Sequence, residues 1–294
     1  MRAKPALSAV NAERFGSASL LVASSGGARV ALHDLGGRGP VVLFTHANGF
    51  CGQMWQPVAQ QLKELARCWA LDFRGHGDSI AGPEETYNWA NLADDVLTAV
   101  GALDPQPRLA VGHSVGAASI LAAELACPGT FDRAWLYEPV TVPKTAMPKE
   151  GVEALAQIAR MRQDRFESRQ AAYDRYFSRP PLSLLDPEVL RAYVDSGFRT
   201  LSDGTVTMKC APEVEAAVFE NADTSLFSQL GSIRATVTVC GSPDTDPPAQ
   251  FAAKVAEALP NGGYEHFAKL THFGPLQAPK PIAASITKTL FPAP

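Results

Sequence analysis

Apolar residues in this chain come in short bursts separated by turn-forming residues. Residues 19–22, 29–32 and 41–44 read as three β-strands, with Gly26-Gly27 and Gly36-Gly37 marking tight turns between them. The third run is apolar throughout, the pattern of a strand buried on both faces. Residues 54–66 read as a helix and 68–72 as a further apolar strand. Across 89–103, Leu92, Val96, Val100 and Leu103 recur at three- and four-residue steps, which predicts an amphipathic helix. A short strand at 109–111, a helix rich in small residues at 115–126 and a strand at 134–137 follow. Such alternation predicts an α/β fold: a mostly parallel sheet with helices on both faces.

Residues 141–228 break the rhythm. They are rich in Arg, Glu and Pro with interleaved aromatics, and helices are expected near 149–177 and 187–199. This segment reads as a helical cap inserted into a core made of residues 1–140 and 229–294. The core pattern resumes with a strand at 236–240, a helix from about 247 to 259, an apolar-containing run at 264–270 and a last helix near 276–290.

Composition narrows the class. With 294 residues, 46% hydrophobic and 19% charged, the chain can bury a large core and has globular usage. A net charge of -4 and the lack of a Lys/Arg block argue against a nucleic-acid partner. The N-terminal residues lack the apolar stretch of a signal peptide, and no apolar run is long enough for an integral membrane segment, so a cytoplasmic location is the default expectation. The five cysteines are scattered and lack a CxxC pair, which argues against a zinc site and a disulfide framework. Cys51 lies just past a candidate active-site loop, but a small core residue is the simpler reading.

The chemistry begins at Gly112-His113-Ser114-Val115-Gly116. A G-x-S-x-G motif between a strand and a helix presents its serine on a sharp turn above the sheet. A hydroxyl is a weak nucleophile and needs a base beside it. Of six histidines, His272 is the candidate, because it follows the last strand, where open α/β sheets build their sites. His33 and His266 read as sheet residues, His76 as a loop-positioning residue, and His113 as the elbow's variable position, pointing away from the serine. The imidazole needs a carboxylate to orient it. Asp244, directly after the strand at 236–240, is preferred. Asp246 reads equally well as a helix N-cap, and Glu138, ending the preceding strand, is the alternative triad acid. Oxyanion donors are expected from the N–H of Val115 and from the loop Thr45-His46-Ala47-Asn48-Gly49-Phe50, at Asn48, with His46 bracing the loop. In the stretch 72–79, Arg74 and Asp78 read as residues that lock this loop against the elbow rather than as catalytic groups.

These motifs together, 46–50, 72–79, the elbow, 241–244 and 271–275, resemble the α/β-hydrolase fold family of the fold-1 type in order and spacing. The resemblance covers nearly the whole chain except the cap. It implies an eight-stranded, mostly parallel sheet, a Ser–His–acid triad, and no cofactor or metal. This chain departs from it in two places. His46-Ala47 stands where His-Gly is common, and Glu138 ends the sixth strand, where some relatives carry the triad acid. Relatives that open epoxides or remove halides carry Asp at the elbow, so Ser114 argues against both reactions.

The expected activity is hydrolysis of a carboxylic ester with a small hydrophobic acyl substrate, through an acyl-enzyme on Ser114. The same groups would serve a C–C bond hydrolase, a thioester hydrolase or an acyltransferase, and the fold can also serve as a ligand-binding receptor. Phe166, Tyr173, Tyr176 and Phe177 either line a pocket or pack the cap onto the core. The arginines at 160, 162, 165, 169, 175 and 179 read as a solvated face paired with Glu153, Asp164, Glu167 and Asp174.

Overall fold

A computed structural model of the chain describes residues 13–15, 19–82, 87–141, 143, 149–223, 225–243 and 247–292. The chain first lays down β1 (Glu13–Phe15), β2 (Ser19–Ala23), β3 (Arg29–Gly37) and β4 (Val41–Thr45). It then alternates α1 (Gln56–Leu62), β5 (Arg67–Asp72), α2 (Trp89–Ala102), β6 (Leu109–His113), α3 (Val115–Ala126) and β7 (Arg133–Tyr137). An insertion follows, with α4 (Lys149–Arg160), β8 (Arg165–Phe166), α5 (Arg169–Phe177), α6 (Pro187–Ser196), β9 (Phe198–Thr200), β10 (Val206–Met208) and α7 (Pro212–Glu220). The core resumes with β11 (Thr236–Gly241), α8 (Pro247–Ala258), β12 (Gly262–His266), α9 (Gly274–Gln277) and α10 (Pro279–Leu290).

The main sheet has nine strands in the order β1-β2-β3-β5-β4-β6-β7-β11-β12. Pairs from β1 to β5 are antiparallel, and every pair from β5 to β12 is parallel. The short hairpin strand β1 extends the expected sheet at its antiparallel edge. All five residues of β4 and of β6 are buried, as their apolar runs require of central strands covered on both faces. Alternate residues divide between the faces. Leu43, Ala110, Leu136 and Val239 pack with Leu92, Val96, Ile120 and Val255 of α2, α3 and α8. Val42, Phe44, Val111 and Tyr137 pack on the other face with Val58, Leu62, Ile282 and Ile286 of α1 and α10.

Three elements differ from the sequence expectation. The helix expected over 149–177 is two helices, α4 and α5, because the chain forms β8 between them and Ser168 caps α5 by accepting the Ala171 N–H at 3.1 Å. The insertion is therefore not wholly helical: β8, β10 and β9 form a small antiparallel sheet. The last helix is also two pieces, α9 ending at Gln277 and α10 starting at Pro279, a residue that cannot continue a helix but opens one well. The arginine partners differ as well. Because α4 packs on α7, Arg160 pairs with Glu213 and Glu220 of that helix, and Arg162 with Glu215. Arg165 pairs with Asp203 across the small sheet.

Phe166, Tyr193, Phe198, Val206 and Met208 of the insertion share one buried cluster with Phe50 and Met54 of the core. Phe166 thus packs the insertion, whereas Phe177 is more than half exposed and stacks on Tyr173. Among the described residues, no helix is long and apolar enough to cross a membrane.

Candidate active site

The turn from β6 into α3 leaves little room for side chains. A Cβ on Gly112 would fall 2.7 Å from the Ala117 Cα, and one on Gly116 would fall 2.5 Å from the His46 carbonyl oxygen. Glycine at both positions lets the strand, the helix and the loop after β4 meet. Between them Ser114 adopts φ 57° and ψ -121°, a left-handed conformation that costs a non-glycine residue about 1–3 kcal/mol. Packing maintains it: the Ser114 N–H donates to the Tyr137 carbonyl at 2.9 Å, and its own carbonyl accepts the Ala118 N–H at 3.0 Å.

His272 sits in the turn between β12 and α9. Its Nε2 lies 3.2 Å from Ser114 Oγ, and its Nδ1 lies 2.6 Å from Glu138 Oε2. Glu138 follows β7 directly and is fully buried. Ser114 and Glu138 are the non-glycine residues with positive φ among the described residues, and both are in this group. The Glu138 N–H donates to the Cys240 carbonyl at 2.9 Å, and its Oε1 accepts the Ser242 N–H at 2.6 Å. Burial alone would push this carboxyl up, but the hydrogen bond and charge of His272, with the Ser242 N–H, bring it below its ordinary value. An ionised Glu138 can only accept. Nδ1 therefore carries the imidazole proton, and Nε2 is left to accept from the Ser114 hydroxyl.

Two further side chains hold the His272 turn. His113 Nε2 donates to the His272 carbonyl at 2.7 Å, and the Tyr137 hydroxyl donates to the Thr271 carbonyl at 2.8 Å. Burial, then the neighbouring His272, keep His113 well below the ordinary histidine value, so it stays neutral. His113 thus meets the backbone of the base.

The loop after β4 is fixed from several sides. His46 Nε2 accepts the Phe73 N–H at 3.1 Å, so Nδ1 carries the proton and donates to the Ala47 carbonyl at 2.7 Å. The Ala47 carbonyl and the Asn48 N–H share one planar trans peptide and point in opposite directions. Holding the carbonyl on His46 therefore aims the Asn48 N–H the other way. Burial lowers His46 and takes His76 down to about 3, so both rings are neutral acceptors at one nitrogen. His76 uses its Nε2 to accept the Gly49 N–H at 3.1 Å. Val115 opens α3, and a first-turn N–H has no acceptor within its own helix.

The other sequence candidates fall into place around this group. Asp244 and Asp246 lie outside the described residues. Arg74 is locked onto α2 rather than the elbow, through a buried two-pronged pair with Asp95 at 2.7 and 2.9 Å. Asp78 pairs with Lys209 of the insertion at 2.5 Å. His33, Asp72 and Asp78 offer ligand atoms within 4.8 Å of one another. However, Asp72 already accepts from His33 at 2.7 Å, from the Gly52 N–H at 2.6 Å and from the Asp78 N–H at 2.8 Å, so this cluster ties loops together. Cys51 is buried, and burial with the nearby Asp72 pushes its thiol far up, which leaves it unreactive. Tyr193 and Glu215 had no sequence signal, because their contacts are made across the fold, and Arg162, expected on a solvated face, is instead largely buried against Glu215 and Tyr193.

The family model described as the alpha/beta hydrolase family matches residues 41–285. The chain belongs to the α/β-hydrolase family. Among curated relatives, it is 24% identical over 270 residues to a putative non-heme bromoperoxidase, BpoC, of Mycobacterium tuberculosis, covering 87% of this chain and 95% of that one. It is 33% identical over 92 residues to protein phosphatase methylesterase 1 of Bos taurus, covering 30% of this chain and about a quarter (24%) of that protein's length. Among solved structures, E-2-(acetamidomethylene)succinate hydrolase superposes with a TM-score of 0.78 at 22% identity, covering 92% of this chain and 98% of that one. An esterase from a Rhodococcus species superposes with a TM-score of 0.70 at 21% identity, covering 92% and 98%. At these identities the two structures share the fold, and family members of this kind are hydrolases.

Proposed function

We propose that this hydrolase cleaves a carboxylic ester through an acyl-enzyme on Ser114, with His272 as general base and acid, Glu138 as the triad acid, and the N–H groups of Asn48 and Val115 as the oxyanion hole. The observation that carries this reading is the continuous hydrogen-bonded chain Ser114 Oγ, His272 Nε2, His272 Nδ1, Glu138 Oε2, with steps of 3.2 and 2.6 Å. Its geometry favours Glu138 over Asp244 as the acid.

The steps follow from the roles of these atoms. Ser114 Oγ attacks the acyl carbon while His272 Nε2 takes its proton and Glu138 stabilises the resulting imidazolium. The carbonyl π electrons move to oxygen, where the Asn48 and Val115 N–H groups receive the negative charge. When the tetrahedral species collapses, the bond to the alcohol oxygen breaks and His272 returns the proton to it. A water then gives its proton to His272 and attacks the acyl carbon, and the Ser114 oxygen leaves and regains that proton. The product is the free acid. Phe50 and Phe273, packed edge to face at 6.2 Å, support an apolar wall for a small hydrophobic acyl group. The insertion, as a cap over the sheet, would choose the substrate. Arg162, the cap arginine bonded beside the oxyanion loop, has its charge met by Glu215, which disfavours an anionic acyl group.

The test is turnover of p-nitrophenyl esters of graded acyl length by the wild type and by Ser114→Ala. Turnover that disappears in Ser114→Ala supports the reading, and the length profile measures the acyl pocket. Turnover that survives removes Ser114 from its role. Inactivity of the wild type towards every ester, with activity on thioesters or diketones, would replace the ester by one of those bonds.

A further inference from the structure

The loop that carries Asn48 is bonded to the insertion as well as to the core. Tyr193 of α6 donates its hydroxyl to the Gly49 carbonyl at 3.2 Å, and it accepts from Arg162 Nη2 at 3.1 Å. The other arm of Arg162, Nη1, is bonded to the Glu215 carboxylate of α7. The Glu215 backbone carbonyl in turn accepts from the Asn48 side-chain amide at 2.8 Å. Gly49 itself has φ +78°, and a Cβ there would fall 2.7 Å from the Glu215 Cδ and 2.9 Å from Arg162 Nη1. The guanidinium and carboxylate thus lie directly on the loop, in space that only a glycine leaves open.

We infer that Tyr193 and Arg162 are positioning residues for the oxyanion loop, so that seating of the cap completes the hole in which the Asn48 N–H works. The inference rests on the acyl-enzyme reading above. The peptide before Asn48 is turned by His46, through the Ala47 carbonyl, and the Gly49 N–H is held by His76. The one remaining handle on Gly49, its carbonyl, is held by Tyr193. A core-side pair of histidines and a cap-side tyrosine therefore grip the same short turn from opposite sides. Every donor in the relay is matched to an acceptor: Arg162 to Tyr193, Tyr193 to Gly49, Asn48 to Glu215. Burial, the largest influence on Tyr193, pushes its hydroxyl up and keeps it a donor, and the Tyr193 and Glu215 contacts outweigh burial in keeping Arg162 charged. Displacing the cap would remove two hydrogen bonds from the Asn48–Gly49 turn at once. Catalysis is thereby coupled to the element that closes over the substrate.

The test compares wild type, Tyr193→Phe, Arg162→Lys and Ser114→Ala, with p-nitrophenyl acetate as substrate and phenylboronic acid as the inhibitor. The boronate adds to a nucleophilic serine and places an oxyanion in the hole, so its Ki reports the hole directly. Tyr193→Phe keeps the ring and removes the single hydroxyl. It is expected to lower kcat by ~10-fold, with KM within ~2-fold, and to raise the boronate Ki in proportion. Arg162→Lys keeps the charge for Glu215, loses the planar fork, and is expected to show the same split, so it decides the matter where Tyr193→Phe does not fold. A variant that loses only melting temperature, with kcat and Ki unchanged, is merely structural and overturns the inference. A rise in KM alone makes Tyr193 a substrate contact and also overturns it. Ser114→Ala separates the two levels. If it stays active, the acyl-enzyme reading itself has failed; if it is inactive while Tyr193→Phe and Arg162→Lys are unaffected, only the coupling has.

Discussion

Glu138 Oε2 lies 2.6 Å from His272 Nδ1, and the other oxygen of the same carboxylate accepts the Ser242 N–H at 2.6 Å. One side chain thus joins the end of β7 to the turn after β11 and to the candidate base, from a fully buried position. Replacing it with glutamine keeps size and shape but removes the charge that fixes the imidazole tautomer. Glu138→Gln is expected to lower kcat by roughly 100- to 10,000-fold, whereas Asp244→Asn changes it by less than about 3-fold. Steady-state kinetics on one ester check both. The reverse ranking would return the acid role to Asp244.

The same carboxyl makes stability depend on pH. Its value in the folded chain lies below its ordinary 4.5, because the His272 contact outweighs burial. A depressed carboxyl contributes stability that is fully present above the ordinary value and is lost as pH falls through the folded value. Melting temperature should therefore decline on acidification below about 4.5, and the decline should be shallower in Glu138→Gln. Thermal melts of the two proteins across that range make the comparison. Identical slopes would mean that this carboxyl carries no linked proton.

Gly116 faces the backbone of the loop after β4. A methyl group there would meet the His46 carbonyl oxygen at 2.5 Å, and backbone cannot swing aside as a side-chain tip can. Gly116→Ala is expected to cost about 1–3 kcal/mol of stability and to displace the loop that carries Asn48. Urea unfolding and kcat should both register the change. Unaltered kcat would show that the loop tolerates the shift.

His113 holds the His272 carbonyl at 2.7 Å and packs its ring beside the His272 imidazole, with centroids 5.1 Å apart. His113→Leu leaves that carbonyl without its donor and is expected to lower kcat by about 10-fold, with KM nearly unchanged, and His113→Gln should recover part of the loss. A KM effect with intact kcat would contradict this positioning role.

The sheet and most of its helices were legible in the sequence because each strand carries its own apolar run and each helix its own periodicity. Leu92, Val96 and Val100, spaced for one face of a helix, are buried on one face of α2. The elbow was legible because Gly112 and Gly116 are demanded by local geometry around Ser114. The insertion was less so. Its break between α4 and α5 depends on the pairing of Phe166 with Val206, forty residues later, which no local pattern carries. The acid followed the same logic. Asp244 and Glu138 both follow strands expected from the sequence, and what favours Glu138, its φ of 43° and its contact with a turn 134 residues away, is carried by no local pattern. The roles of Tyr193 and Arg162 were invisible in the sequence for that reason too: a tyrosine at helical spacing and one arginine among many gain meaning only when α6 and α7 are bonded to the Asn48–Gly49 turn.

The covalent intermediate is the central claim, and acid-quenched mass spectrometry of the enzyme during turnover of p-nitrophenyl butyrate tests it most directly. The account predicts a burst of p-nitrophenol stoichiometric with enzyme, one acyl group on the intact chain, and that group on the peptide containing Ser114. The Ser114→Ala protein should show neither burst nor adduct. Turnover by wild type with the acyl group on another residue, or a burst that persists in Ser114→Ala, would contradict it.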